Sequence, residues 1–87
     1  MLHQPYRDLL AFLITPFLEQ PQALRLHQEV TGGGNRIWLR VSVSEVDRLR
    51  VLGKNGKNIQ TMRAVLTAAA QNAGHSLNLE IYDMGRS

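Results

Sequence analysis

The sequence predicts a single α+β domain in which three helices pack on one face of a three-stranded sheet. Three observations lead there. Apolar residues recur at helical spacing, then at a period of two, then at helical spacing again, and end at a period of two. Proline and glycine clusters punctuate those changes. The chain has 87 residues, of which 44% are hydrophobic. That suits one modest core, burying roughly 60–65% of the surface the unfolded chain would expose. The whole of residues 1–87 therefore reads as one domain.

The first helix is expected over about residues 5–18. Pro5 suits a first helical turn, where its missing N–H costs nothing. Tyr6, Leu9, Leu10, Leu13 and Phe17 fall on one face. Pro16 should kink or restart the helix, with Thr15 able to cap the restarted turn, and Pro21 closes the segment.

From Ala23 the period becomes two. Leu24, Leu26 and Val30 alternate with Arg25, His27 and Glu29, with Gln28 the one polar residue on the inner face. Gly32-Gly33-Gly34-Asn35 supplies a turn. Ile37, Leu39, Val41 and Val43 then form the inner face of a second strand, so the two strands make an antiparallel hairpin. Ser44 and Asp47 form a capping-box-like pair for a short helix that must end by Gly53. A longer helix follows, with Ile59, Met62, Leu66, Ala69, Ala70 and Ala73 on its buried stripe and Gly74 placed to end it. Leu77, Leu79 and Ile81 make the inner face of a last strand, and Met84 to Ser87 are expected to fray.

The formal net charge is +3, but its distribution matters more. Between Arg48 and Leu79 there are five basic residues (Arg48, Arg50, Lys54, Lys57 and Arg63) and no acidic one. The rest of the chain carries five basic and seven acidic residues, a net of −2. The excess positive charge thus surrounds one short stretch, Gly53-Lys54-Asn55-Gly56, and attracts polyanions over about 8–10 Å.

That stretch joins two predicted helices. A helix N-terminus offers unpaired N–H groups and a partial positive charge, and phosphate binds there readily. Glycine at both ends of the linker permits a tight turn and leaves no Cβ to hold a ligand away. An ordinary helix–helix connection competes with this reading, because glycine pairs are common in loops. A nucleotide-triphosphate loop fails on the residues. The Gly56-Lys57 pair would need glycine at position 51 and Ser or Thr at position 58, and those positions hold Val51 and Asn58.

The stretch from Val51 to Arg63, Val-Leu-Gly-Lys-Asn-Gly-Lys-Asn-Ile-Gln-Thr-Met-Arg, closely resembles the signature of KH domains. That signature is two apolar residues, Gly-x-x-Gly, two residues, Ile, two residues, an apolar residue and often Arg. A hairpin before the loop and a single strand after it resemble the type II, prokaryotic arrangement, α-β-β-α-α-β. The chain is similar to the small bacterial RNA-binding proteins made of a single KH domain. The resemblance covers nearly the whole chain, with the core motif over about residues 44–82.

What the resemblance implies is specific. Gly53, Lys54, Asn55 and Gly56 would clamp the sugar–phosphate backbone of about four nucleotides of single-stranded RNA, or of single-stranded DNA. Lys57 and Arg63 would contact neighbouring phosphates. Val51 and Ile59 would contribute to the floor of an aliphatic groove while also serving the core. Arg48 and Arg50 match positions that are often basic, and Arg50 would join the RNA-binding residues. An RNA chaperone or post-transcriptional regulator is the implied role. Such proteins often work as homodimers or beside a second RNA-binding protein, and pairing two weak sites raises avidity.

The aromatic fraction is 6%, so base stacking on several exposed rings, as in RRM and OB folds, is not the expected mode. Trp38 is predicted to point away from the core beside Arg36 and Arg40. That trio suits a second nucleic-acid patch, a dimer contact or a plain cross-strand pair.

Other functions find less support. His3, His27 and His75 are scattered without metal-ligand spacing, the chain has no cysteine, and no nucleophile–base pattern is recognisable. No enzyme activity, metal or cofactor is expected. The apolar run from Leu9 to Leu18 is far short of the ~20 residues a membrane span needs. It also lacks the basic start and cleavage site of an export signal, so the expected location is the cytoplasm. The rival reading is a protein-interaction or ribosome-associated assembly module that uses Val65, Ala68 and Trp38.

Overall fold

The computed structural model describes residues 5–82; His3 and the segment from Met84 to Ser87 lie outside them. The elements run α1 (Pro5–Ile14), β1 (Arg25–Thr31), β2 (Arg36–Ser42), α2 (Glu45–Leu52), α3 (Lys57–Asn72) and β3 (Ser76–Ile81). This is the expected order. The sheet is mixed, with strand order β1-β2-β3. β1 and β2 are antiparallel, pairing Arg25 with Ser42 and Thr31 with Arg36. β2 and β3 are parallel, pairing Ile37 with Leu77 and Val41 with Ile81. Parallel neighbours need a long crossover, and α2, the glycine loop and α3 supply it.

One core holds the layers together. Ile37, Leu39, Val41 and Leu79 from the sheet meet Tyr6, Leu10 and Ile14 of α1, Val51 of α2, and Ile59, Met62, Leu66 and Ala70 of α3. Burying a side chain such as Leu10, Ile14, Leu39 or Leu66 contributes about 1.5–3 kcal/mol, and all four are fully buried. The opposite sheet face carries Arg36, Trp38 and Arg40; Trp38 is half-buried and both arginines are exposed.

Several local expectations differ from the structure. The first helix ends at Ile14, and a 3-10 turn covers Thr15–Phe17. Thr15 does not cap that turn, because its Oγ1 donates back to the Ala11 carbonyl at 2.6 Å. Val30 is 51% exposed, because β1 is an edge strand with a neighbour on one side only. Gln28, the polar residue on that row, is half-buried and accepts the backbone N–H of Arg7 through Oε1 at 3.2 Å. Ala73 is exposed, because α3 closes at Asn72 with Ala73 as its cap. His75 N–H donates to the Ala70 carbonyl at 2.8 Å and Gly74 N–H to Gln71 at 3.0 Å. Gly74, at φ 80°, completes this Schellman closure.

Asp47 departs most from its sequence-based role. Its carboxylate does not close a capping box, and no side chain caps α2 at Ser44. The residue is fully buried and accepts the backbone N–H groups of Glu19 at 2.8 Å and Gln20 at 3.0 Å. The Ser44 hydroxyl donates to the same carboxylate at 3.2 Å. The linker between α1 and β1 is thereby tied to α2. The Glu19 amide, then the Gln20 amide, the Ser44 hydroxyl and the charge of Arg50, hold the Asp47 carboxyl below its ordinary value against the opposing effect of burial.

Candidate nucleic-acid interface

The loop between α2 and α3 is built by three residues with positive φ. Gly53 closes α2 at φ 77° and ψ 171°, its N–H donating to the Leu49 carbonyl at 2.8 Å. Lys54–Gly56 form a tight 3-10 turn whose middle residue, Asn55, is left-handed at φ 56° and ψ 28°. Asn55 is the one non-glycine residue with positive φ among the described residues. Asparagine tolerates this conformation better than most side chains. Gly56 follows at φ 73°, and α3 then starts with no side chain capping its N-terminus.

The two glycines are required for different reasons. A Cβ on Gly53 would lie 2.6 Å from Asn58 Cγ and 2.8 Å from the Asn58 backbone nitrogen. A Cβ on Gly56 would meet nothing closer than Ile59 Cγ2 at 3.9 Å, so only its φ demands glycine. Asn58 is thus packed directly against Gly53. Its Nδ2 also donates to the Arg50 carbonyl at 2.9 Å, satisfying an acceptor in the last turn of α2. Sequence reasoning noticed Asn58 only as a residue that excludes a triphosphate loop. An amide-bearing residue just after the second glycine was the available signal for this closure.

The side chains around the loop divide into two groups. Lys54, Asn55 and Lys57 are exposed at the tip. Val51 is fully buried and Ile59 is 5% exposed, so both face the core beneath the loop. Arg50 is occupied within the protein, with NH2 on Glu19 Oε2 at 2.9 Å and NH1 on the Phe17 carbonyl at 3.4 Å. Its NH1 also lies 3.8 Å from Asp47 Oδ1. Arg48 is half-buried on the same helix.

Arg63 stands apart from the loop, about 10 Å further along α3 at 1.5 Å per residue. Its NH1 donates to Gln60 Oε1 at 2.9 Å and its NH2 to the Leu79 carbonyl at 3.0 Å. The second bond satisfies an acceptor on the edge strand β3 and fixes the guanidinium beside it. Leu79 and Ile81 line an open groove at that edge together with Arg63. Of its two aliphatic residues Leu79 is buried and Ile81 is half-buried.

No helix among the described residues is long and apolar enough to cross a membrane. Among the same residues no group of three His, Cys, Asp or Glu side chains could hold a metal ion.

Residues 7–81 match the family described as "KhpA/KhpB, KH domain". The chain is 31% identical over 83 residues to the RNA-binding protein KhpA of Bacillus subtilis (strain 168), covering 95% of this chain and all of that protein. It is 29% identical over 77 residues to the RNA-binding protein KhpA of Chlamydia pneumoniae, covering 88% and 96% of the two chains. A third relative, the RNA-binding protein KhpA of Chlamydia trachomatis, is 25% identical over the same shares. With a hairpin before the glycine loop, one strand after it and a family match across almost the whole length, the chain belongs to the KhpA/KhpB family of KH-domain proteins.

Proposed function

We propose that this protein binds single-stranded RNA by clamping its sugar–phosphate backbone at Gly53, Lys54, Asn55 and Gly56. The observation that carries the reading is the loop itself. It is a Gly-Lys-Asn-Gly turn with three positive-φ residues, leading into a 16-residue helix with no side-chain cap. The uncapped N–H groups and helix dipole favour phosphate, and exposed Lys54 and Lys57 add charge. The name RNA-binding protein KhpA, carried by relatives that span nearly the whole chain, supports the same ligand.

Arg63 serves the strand next, at the groove beside β3, while Val51 and Ile59 support the loop from below. Arg50 acts through the linker it binds rather than through phosphate. The protein works in the cytoplasm as an RNA chaperone or post-transcriptional regulator, without catalysis of its own. A single clamp of about four nucleotides is weak, so it acts as a homodimer or beside a second RNA-binding protein. Crosslinking the protein to RNA in cells and sequencing the fragments tests the reading; recovery of RNA at background level opposes it.

A second reading, a protein-interaction or assembly module, is favoured by the exposed apolar residues on the helices. Phe12 is 77% exposed, Leu49 80%, Val46 58% and Val65 41%. An assembly role without RNA would leave the loop variants below without effect.

A further inference from the structure

β1 forms the sheet edge opposite β3, and among the described residues no strand lies beyond it. The β2–β3 ladder shows which of its backbone groups are free. Ser76 N–H donates to the Asn35 carbonyl at 2.9 Å and Tyr82 N–H to the Val41 carbonyl at 3.0 Å. The odd-numbered residues of β2 therefore turn their backbone polar groups toward β3. Arg36, Trp38, Arg40 and Ser42 turn theirs toward β1, where Thr31, Glu29, His27 and Arg25 meet them. Leu26, Gln28 and Val30 are left with N–H and C=O groups pointing out of the sheet edge.

We infer that this edge pairs with β1 of a second copy of the chain, antiparallel and centred on Gln28, to make one continuous sheet. The inference rests on the homodimer reading above and names its interface. A free edge invites pairing unless proline, a bulge or an inward-pointing charge blocks it. β1 has none of these. Its seven residues, Arg25–Thr31, include no proline and pair with β2 without interruption. The row on the helix side is Leu26, Gln28 and Val30, opposite the buried Val41, Leu39 and Ile37, and it carries no charge.

The strand is also complementary to itself. A two-fold axis at Gln28 sets Leu26 against the partner's Val30, His27 against the partner's Glu29 and Arg25 against the partner's Thr31. Each outward N–H and C=O of Leu26, Gln28 and Val30 then finds its counterpart in the other copy. Val30, 51% exposed in the single chain, gains an apolar neighbour. On the open face of the sheet, a histidine N–H meets a carboxylate. A strand of another protein would have to match this pattern independently, whereas a second copy carries it. Pairing through β1 leaves the β3 edge open in both copies, so two weak RNA sites are joined. One short strand from each copy is a small contact, so the dimer is reversible.

Sedimentation equilibrium of the full chain over a range of concentrations measures the dimer constant. Val30→Pro removes an outward N–H and leaves the β1–β2 ladder intact, as an edge strand tolerates. It should weaken the dimer at least about tenfold. His27→Glu sets like charges opposite each other across the axis and should weaken it about three- to tenfold. Adding Glu29→Lys to His27→Glu makes those pairs opposite in charge and should return the constant to within about twofold of wild type. Should Val30→Pro unfold by circular dichroism, the charge variants keep the comparison. A dimer unchanged in Val30→Pro and His27→Glu overturns the β1 interface and leaves the homodimer reading to another surface. Equal weakening in the single and double charge variants overturns the Gln28-centred register. A wild-type chain that is monomeric at every concentration overturns both the interface and the homodimer reading.

Discussion

The side-chain amide of Asn58 donates to the Arg50 carbonyl at 2.9 Å, joining the last turn of α2 to the first turn of α3 across the glycine loop. The loop is thus closed from inside by a residue that no phosphate needs to touch. Asn58→Asp is close in shape but turns the donor into an acceptor facing a carbonyl. The substitution should cost about 1 kcal/mol of stability, as the bond is partly exposed, and should weaken RNA binding as the loop loosens. Urea unfolding with anisotropy on the same samples checks both. Asn58→Ala should lose less stability than Asn58→Asp, because it removes the bond without adding a repulsion.

The two loop glycines should separate in the same experiment. Gly56→Ala meets open space and suffers only the left-handed backbone, a cost of about 1–2 kcal/mol. Gly53→Ala adds contacts at 2.6 and 2.8 Å with Asn58, one of them to backbone that cannot rotate away. Its cost should exceed that of Gly56→Ala by about 1–3 kcal/mol. Equal losses would mean that Asn58 does not pack as described.

Tyr6 ties the start of α1 to the turn before β3. Its hydroxyl lies 2.6 Å from His75 Nδ1, and the two rings meet edge-on with centroids 5.7 Å apart. Tyr6→Phe keeps the ring and loses the hydrogen bond. Thermal unfolding should show a loss of about 0.5–1.5 kcal/mol, with RNA affinity unchanged, because this contact lies away from the loop.

Asp47 makes the fold acid-sensitive. Its carboxyl is held below the ordinary value of 3.8, so the folded state binds this proton less readily than the unfolded state. The resulting stability is fully present above the unfolded value of about 3.9 and is lost as pH falls through the lower folded value. Asp47→Asn should therefore be less stable than wild type at neutral pH, and the gap should narrow below about pH 4. Melts between pH 3 and 7 would show the convergence; a constant gap would mean that the carboxylate's charge is irrelevant.

Much of this was legible in the chain because hydrophobic period and glycine placement are local signals. The order of elements, the buried faces of β2 and α3, and the Gly74 closure all follow from residues a few positions apart. What was not legible depended on contacts distant in sequence. Asp47 looked like a cap for its own helix, but its partners are Glu19 and Gln20, 28 and 27 residues earlier. Arg50 likewise pairs with Glu19 and the Phe17 carbonyl, 31 and 33 residues earlier. Val30 satisfied the alternation of a buried strand, but alternation does not say which strand lies at an edge. At the loop, the glycines and lysines were plain, whereas the role of Asn58 required the turn to be folded.

The central claim concerns Lys54 and Asn55, and the most direct measurement is RNA affinity in the Lys54→Asp, Asn55→Asp double variant. Both side chains are exposed, so the fold and its melting transition should survive. Binding of short single-stranded RNA should be abolished. The wild-type affinity should fall with salt at a log–log slope of about −2 to −3, as expected for three or four phosphates on a single strand. An affinity unchanged in the double variant, with the fold intact, would contradict the clamp.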